Sequence, residues 1–175
     1  MPGRFRPRGG WEAVTERSPA RHLMPQAVFV VTGAAGEVRA GMTACWVVRV
    51  SHRPPLYAVA IHHGSQTRDV VAQGNCFCIH ILRADQVDLA RRFGAVSGRD
   101  TDKFAGLAWR SGAGGAPILQ DALAFLDCQV ASVSEVGDHS LFIGRLVDEG
   151  VLHESSALIF RPSDFADIGQ SGEED

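Results

Sequence analysis

The chain has 175 residues, enough for one domain with a sizeable core and hard to divide into two. Apolar residues make up 45% and charged residues 21%, the balance of an ordinary globular domain. A net charge of −3 speaks against nucleic acid or an anionic membrane surface as a partner.

The basic start, MPGRFRPRGG, is followed by no apolar stretch of secretory length, and the run Ala27–Val31 is far too short to span a bilayer. A cytoplasmic protein is therefore expected. Residues 1–20 show no periodic pattern and read as a mobile arm, and residues 167–175 as an acidic tail; one domain, residues 21–166, lies between them.

Strand signals dominate that domain. Ala27–Thr32, Thr43–Val50, Leu56–Ile61, Cys76–Leu82, Leu123–Val133, Leu141–Asp148 and Val151–Phe160 are rich in Val, Ile, Leu, Phe and Trp, with Gly, Pro, Asp or Asn between them. Two short helices fit among them. Gln66–Gln73 starts behind a Ser65 N-cap and stops at Gly74, and a second helix runs to Phe93 from an Asp85 cap. Many strands at short spacing with few helices predict a mainly β fold, a closed barrel rather than alternating βα units.

Val30-Val31-Thr32-Gly33-Ala34-Ala35-Gly36 imitates the strand-to-glycine turn of a dinucleotide-binding fold. That fold needs a helix to follow, whereas Glu37-Val38-Arg39-Ala40-Gly41 has no helical apolar face, so a hairpin is expected. A short-chain dehydrogenase would also need a Tyr with Lys four residues on. Tyr57 is the only tyrosine, Ile61 stands at that position, and the only lysine is Lys103.

Cys45, Cys76, Cys78 and Cys128 form no C-x-x-C pair, and Cys76-Phe-Cys78 puts two thiols on one strand face. Buried, reduced thiols are expected, with no disulfide framework and no metal site.

Three segments could hold a ligand. Gly41-Met42-Thr43-Ala44-Cys45-Trp46 is either a plain strand with a core Trp or a place where small side chains let a planar ring approach the backbone. In His62-His63-Gly64-Ser65-Gln66-Thr67-Arg68, a helix start flanked by hydroxyls and a guanidinium suits a phosphate, although N-capping alone explains Ser65. Gly137-Asp138-His139 is a turn whose histidine stands beside a carboxylate.

Together these segments resemble the flavin reductase-like domain family with the FMN-binding split β-barrel, the reductase component of two-component flavin-dependent monooxygenases. Gly41–Trp46 is similar to that family's G-M-T-A-S-W segment, Val50-Ser51-His52-Arg53-Pro54-Pro55-Leu56 to its V-S-x-x-P-P-L turn, and Ser65-Gln66-Thr67 to its S-x-T phosphate segment. Phe93-Gly94 with Asp102-Lys103-Phe104-Ala105-Gly106-Leu107 resembles its F-G…D-K-F-x-G-L stretch; Gly115–Leu119 and Gly137–Gly144 complete the series over roughly 120 residues in the same order.

The resemblance implies a split barrel with a few short peripheral helices that binds FMN or FAD and reduces it by hydride transfer from NADH or NADPH. It implies that Thr43, Ala44, Cys45 and Trp46 line the isoalloxazine, with Ser65, Gln66 and Thr67 near the flavin phosphate. Met42, Ser51 and His80 join the cofactor set, Cys45 standing for the usual serine and His80 for a common asparagine. Lys103 and Phe104 would close over the cofactor or a neighbouring subunit's site, and His139 would stand where nicotinamide stacks. A homodimer delivering reduced flavin to a separate oxygenase is the implied biology. Two other classes stay open: an electron-transfer flavoprotein that retains its FMN, and a non-redox split-barrel module holding haem or another flat ligand.

Overall fold

The computed structural model describes residues 25–159, so the expected arm and tail lie outside the described residues. Seven strands form one antiparallel sheet in the order β2-β1-β5-β8-β9-β4-β3: β1 Phe29–Ala35, β2 Val38–Ala44, β3 Val47–His52, β4 Pro55–His62, β5 Cys76–Ile81, β8 Ala124–Val136 and β9 His139–Val151. Helices α1 (Gln66–Gly74) and α2 (Val87–Gly94) flank it, and β6 (Trp109–Ser111) pairs with β7 (Pro117–Leu119) as a separate hairpin.

The sheet curls until its two ends share one interior. Ala44 of β2 and Val59 and Ile61 of β4 bury in the same cluster as Val31, Phe77, Ile79 and Phe142, so strands far apart in the pairing order meet around one core. The Ala60 amide also donates to the Trp46 carbonyl at 3.1 Å, just where the chain passes from β2 to β3. The architecture is a split β-barrel, as the sequence predicts. Thr43–Val50, expected as one strand, is two strands with Cys45 and Trp46 between them, because the chain there crosses from one edge of the sheet to the other.

Strand β5 is buried on both faces. Phe77 and Ile79 point into the barrel, while Cys76 and Cys78 pack outward with Ala116 and Ile118 beneath the β6–β7 hairpin. The two thiols share a face, as period-2 alternation requires, and all four cysteines are free. A second outer cluster, with Val28, Leu82, Ala90, Phe93, Phe104 and Leu119, seats α2 against the barrel wall. Burying each large apolar side chain there stabilises the fold by roughly 1.5–3 kcal/mol.

The expected hairpin at Gly33–Gly36 forms: β1 and β2 pair through Ala35↔Val38, and Gly36 takes a left-handed φ of 59°. Helix α1 starts at Ser65, whose Oγ accepts from the Thr67 amide at 3.2 Å. It runs one residue beyond the expected stop, to Gly74, and Asn75 is the left-handed cap at φ 58°. Gly74 serves close packing instead: a Cβ there would lie 1.6 Å from the Ala34 carbonyl oxygen.

Three other expectations are corrected. Asp85 does not cap α2; its carboxylate accepts from Arg83 Nε at 3.1 Å, and Gln86 occupies the N-cap position without a side-chain cap. Gln86 instead donates to the Asp121 carbonyl at 2.7 Å. Strand β9 runs unbroken to Val151, since Gly150 gives room for the Phe125 ring, whose Cε1 would be 2.7 Å from a Cβ. Beyond Val151 no strand forms among the described residues, only isolated bridges at Ala157 and Ile159. None of the helices among those residues is long and apolar enough to cross a membrane.

Candidate functional site

One cleft of about 360 Å³ opens between the end of β2, the start of α1 and the loop after α2. Met42, Thr43, Ser65, Gln66, Thr67 and Lys103 all line it, with residues 94–98 forming the far wall. Six of the predicted site residues, from three separate segments of chain, thus converge on one space.

Thr43, Ser65 and Lys103 are each held by a specific partner. Thr43 Oγ1 donates to the Ala90 carbonyl at 2.5 Å, fixing β2 against α2. Ser65 Oγ donates to Met42 Sδ at 3.5 Å while it caps α1. Thr67 is buried. Gln66 Oε1 is buried with no hydrogen-bond partner, an acceptor the protein itself leaves unused. Gly98 lies against it, and a Cβ at that position would come within 2.5 Å of the oxygen.

Lys103 supplies the cleft's cation. Its Nζ donates to the Phe93 carbonyl at 2.7 Å and the Gly41 carbonyl at 3.2 Å, so one of the three ammonium hydrogens stays available. Burial pushes its pKa down. An anion placed here would meet this ammonium together with the positive end of α1.

Beside the cleft stands a patch of rings. Strands β4 and β9 pair His62 with His139, whose rings meet edge to face at 5.3 Å, and the Trp46 ring lies 4.8 Å from His139 on its other side. His139 Nδ1 bonds Asp138 Oδ1 at 2.6 Å, and that contact holds the Asp138 carboxyl below its ordinary range. Trp46 is 56% exposed, so a large aromatic face is open to a flat ligand.

The remaining predicted residues do other work. Ala44 buries in the barrel core and Cys45 packs against the α2 cluster, where burial raises its thiol pKa. Neither side chain lines the cleft. Ser51 sits at the opposite end of β3 from Trp46, in the hairpin that contains the cis Arg53–Pro54 bond. Phe104 is a core residue, packed edge to face on Phe93 at 5.4 Å, and supports the cleft from behind Lys103.

His80 lies outside the cleft altogether. It is fully buried, with Nε2 accepting from the Leu119 amide at 3.0 Å and Nδ1 against the Val30 carbonyl at 3.0 Å. These partners fix the proton on Nδ1. Desolvation lowers its pKa to about 4, so it is neutral and structural.

Arg68 is also diverted from the anion. Its Nε donates to Ser140 Oγ at 3.0 Å and an Nη to Glu135 at 3.2 Å. Glu135 gathers Ser140, His63 and Arg68, and these contacts, Ser140 first, hold its carboxyl below the usual range. Two site residues escape sequence reasoning. His62 opens a segment read as a ligand site but is given no role there, and Gly98 lies in a loop whose packing against Gln66 spans 32 positions of sequence.

The residues present fit a flavin: an open ring patch, an unused buried acceptor and a cation at a helix start. The model of the flavin reductase like domain matches residues 20–169. A flavin reductase of Pseudomonas putida is 34% identical over 137 residues, 78% of this chain and 79% of that protein. The 4-hydroxyphenylacetate 3-monooxygenase reductase component of Pseudomonas aeruginosa is 32% identical over 145 residues, 82% of this chain and 85% of that protein. A high molecular weight rubredoxin of Moorella thermoacetica is 32% identical over 143 residues, 81% of this chain, which spans only 62% of that longer protein. Among solved structures, the NADH:FAD oxidoreductase SgcE6 of Streptomyces globisporus superposes with a TM-score of 0.72 at 29% identity, covering 78% of this chain and 81% of that one. Three segments meeting in one cleft, a split barrel to hold them and a family model spanning residues 20–169 lead to one statement: this chain belongs to the flavin reductase like domain family.

Proposed function

We propose that this chain is a cytoplasmic NAD(P)H:flavin oxidoreductase that binds FMN or FAD and supplies the reduced flavin to a separate monooxygenase. The observation that carries the reading is the cleft where Met42, Thr43, Ser65, Gln66, Thr67 and Lys103 converge beside the Trp46–His139 ring patch. A bound flavin would supply the redox chemistry, accepting a hydride (two electrons and a proton) from the nicotinamide.

The chain's own residues orient and shield. Lys103 and the start of α1 hold negative charge, Gln66 Oε1 accepts a hydrogen bond, and the ring patch offers a stacking surface. His139, braced by Asp138 and edge to face with His62, is the residue that the family resemblance assigns to the nicotinamide. The step needs no side-chain acid or base. Exposed Trp46, Val48 and Val50 near the β3 edge, with Val133 and Val136 on the β8 arm, support a homodimer.

The test is anaerobic stopped-flow absorbance with one equivalent of flavin and excess NADH. Rapid loss of the oxidised flavin band is expected. A flavin that binds and stays oxidised would overturn the reductase reading. It would favour the second reading, an electron-transfer flavoprotein that retains FMN, which the likeness to the rubredoxin supports.

A further inference from the structure

We propose that a second cavity continues the cleft and takes the adenosine of a dinucleotide flavin, so that this chain holds FAD more tightly than FMN. This rests on the flavin reading above and goes on to choose between the two flavins.

The cleft of about 360 Å³ and a neighbouring cavity of about 350 Å³ share Gly98 on their common wall. A narrow space of about 30 Å³, bordered by Gly41, Gly98, Thr101 and Lys103, lies at their junction. Either cavity alone is near the lower end of the ~300–1,000 Å³ that small-molecule sites occupy; joined, they reach the middle of it. Gly98 keeps the wall thin, since a Cβ there would collide with Gln66.

Charge is distributed along this path as a dinucleotide requires. The cations stand at the junction. Lys103 borders both the cleft and the narrow space, which Arg39 and Asp102 also line, and Arg99, on the wall of the second cavity, donates to the carbonyl of Gly64, which lines the first, and pairs with Asp69 at 3.1 Å. A pyrophosphate crossing there would meet an ammonium and a guanidinium.

Beyond the junction the balance reverses. With Arg39, Asp102 and Arg99 at the junction, the second cavity adds Glu37 and Asp100, two carboxylates with no further cation. A further phosphate is repelled from such a place, whereas ribose hydroxyls and the adenine amino group find acceptors. The wall is preformed, because Arg39 is tied to Asp102 at 3.2 Å and lies 5.1 Å from the centre of the Trp109 ring. FMN, ending at its phosphate, would leave this second cavity unused.

The experiment is calorimetric titration of the purified full chain with FMN and with FAD, nicotinamide absent, on the wild type and on Thr101→Trp. Thr101 is exposed on the second cavity, so the indole fills that space without touching the barrel core. Wild type should bind FAD about tenfold or more tighter than FMN, and the variant should lose that gap with its FMN affinity unchanged. Equal wild-type affinities, or a gap that survives in the variant, would overturn the proposal while leaving the flavin reading intact. If the variant leaves the FAD-to-FMN ratio unchanged and, in separate steady-state assays, raises KM for NADH, the cavity belongs to the nicotinamide dinucleotide's adenosine and the proposal is likewise overturned. Failure to bind either flavin would remove the flavin reading itself.

Discussion

Lys103 donates from Nζ to the Phe93 carbonyl at 2.7 Å, joining the only lysine of the chain to the last turn of α2. The same nitrogen reaches the Gly41 carbonyl in the middle of β2, so one ammonium bridges a helix end and a strand and still faces the cleft. The side chain that supports α2 and β2 is thus also the one that presents a cation to the cleft.

Replacing it should separate into two readouts. Lys103→Met leaves both carbonyls without their donor, which costs about 2–3 kcal/mol and lowers Tm by about 5 °C or more. Flavin affinity should fall about tenfold through loss of the charge. Thermal melts and flavin fluorescence titration check both. A stable variant with unchanged affinity would remove Lys103 from the site.

Much of this arrangement was legible in the sequence, for identifiable reasons. Apolar runs located six strands of the large sheet, with β2 touched only at Thr43 and Ala44 in a run read as one strand with β3, and Ser65 marked the helix start that forms one wall of the cleft. What periodicity does not report is depth. In Cys76–Ile81 it gives two faces, but whether the outer one is covered depends on β6 and β7, three residues each, too short to read as strands. His80 therefore looked available and is fully buried. Arg68 looked free for an anion because Glu135, its partner, is 67 residues away on the β8 arm. Side chains claimed by distant partners are invisible to local pattern.

Asp127 is a buried carboxylate that the fold tolerates at a cost. Its Oδ2 accepts from the Gly114 amide at 2.7 Å, its Oδ1 has no partner, and desolvation raises its pKa. Because the folded value lies above the unfolded one, folding takes up a proton. The favourable contribution is present at low pH and is lost as pH rises through the raised folded value. Asp127→Asn removes the charge and keeps a carbonyl for Gly114. It should stabilise the protein by about 1 kcal/mol at pH 8, with the difference shrinking towards pH 4. Urea melts at both pH values measure this, and a variant less stable at pH 8 would contradict it.

His139 is placed to act on turnover rather than on holding flavin. It lies edge to face with His62, which lines the cleft, and tilted against Trp46, and it does not itself line the cleft with Ser65, Thr67 and Lys103. His139→Ala should lower kcat on the order of 10²-fold by loosening the stacked geometry, with flavin Kd changed less than about threefold. Steady-state kinetics and fluorescence titration on the same preparation give both numbers. Equal losses in the two would mean that the ring supports the flavin and not the hydride donor.

His80 gives the fold its acid sensitivity. Its folded pKa of about 4 lies below the ordinary imidazole value of about 6.5, so the unfolded chain binds more protons between those values. Stability is then full above about pH 7 and falls as pH drops from 6.5 towards 4, by roughly 3 kcal/mol over the window. The structural cause is specific: protonating Nε2 would set an N–H against the Leu119 amide, two donors face to face at 3.0 Å. His80→Gln can donate to the Val30 carbonyl and accept from Leu119 without titrating. It should start less stable at neutral pH, because an amide does not reproduce the ring's packing, yet lose less on acidification. Denaturant melts from pH 7 to pH 5 compare the slopes, and equal slopes in variant and wild type would show that some other group sets the acid limit.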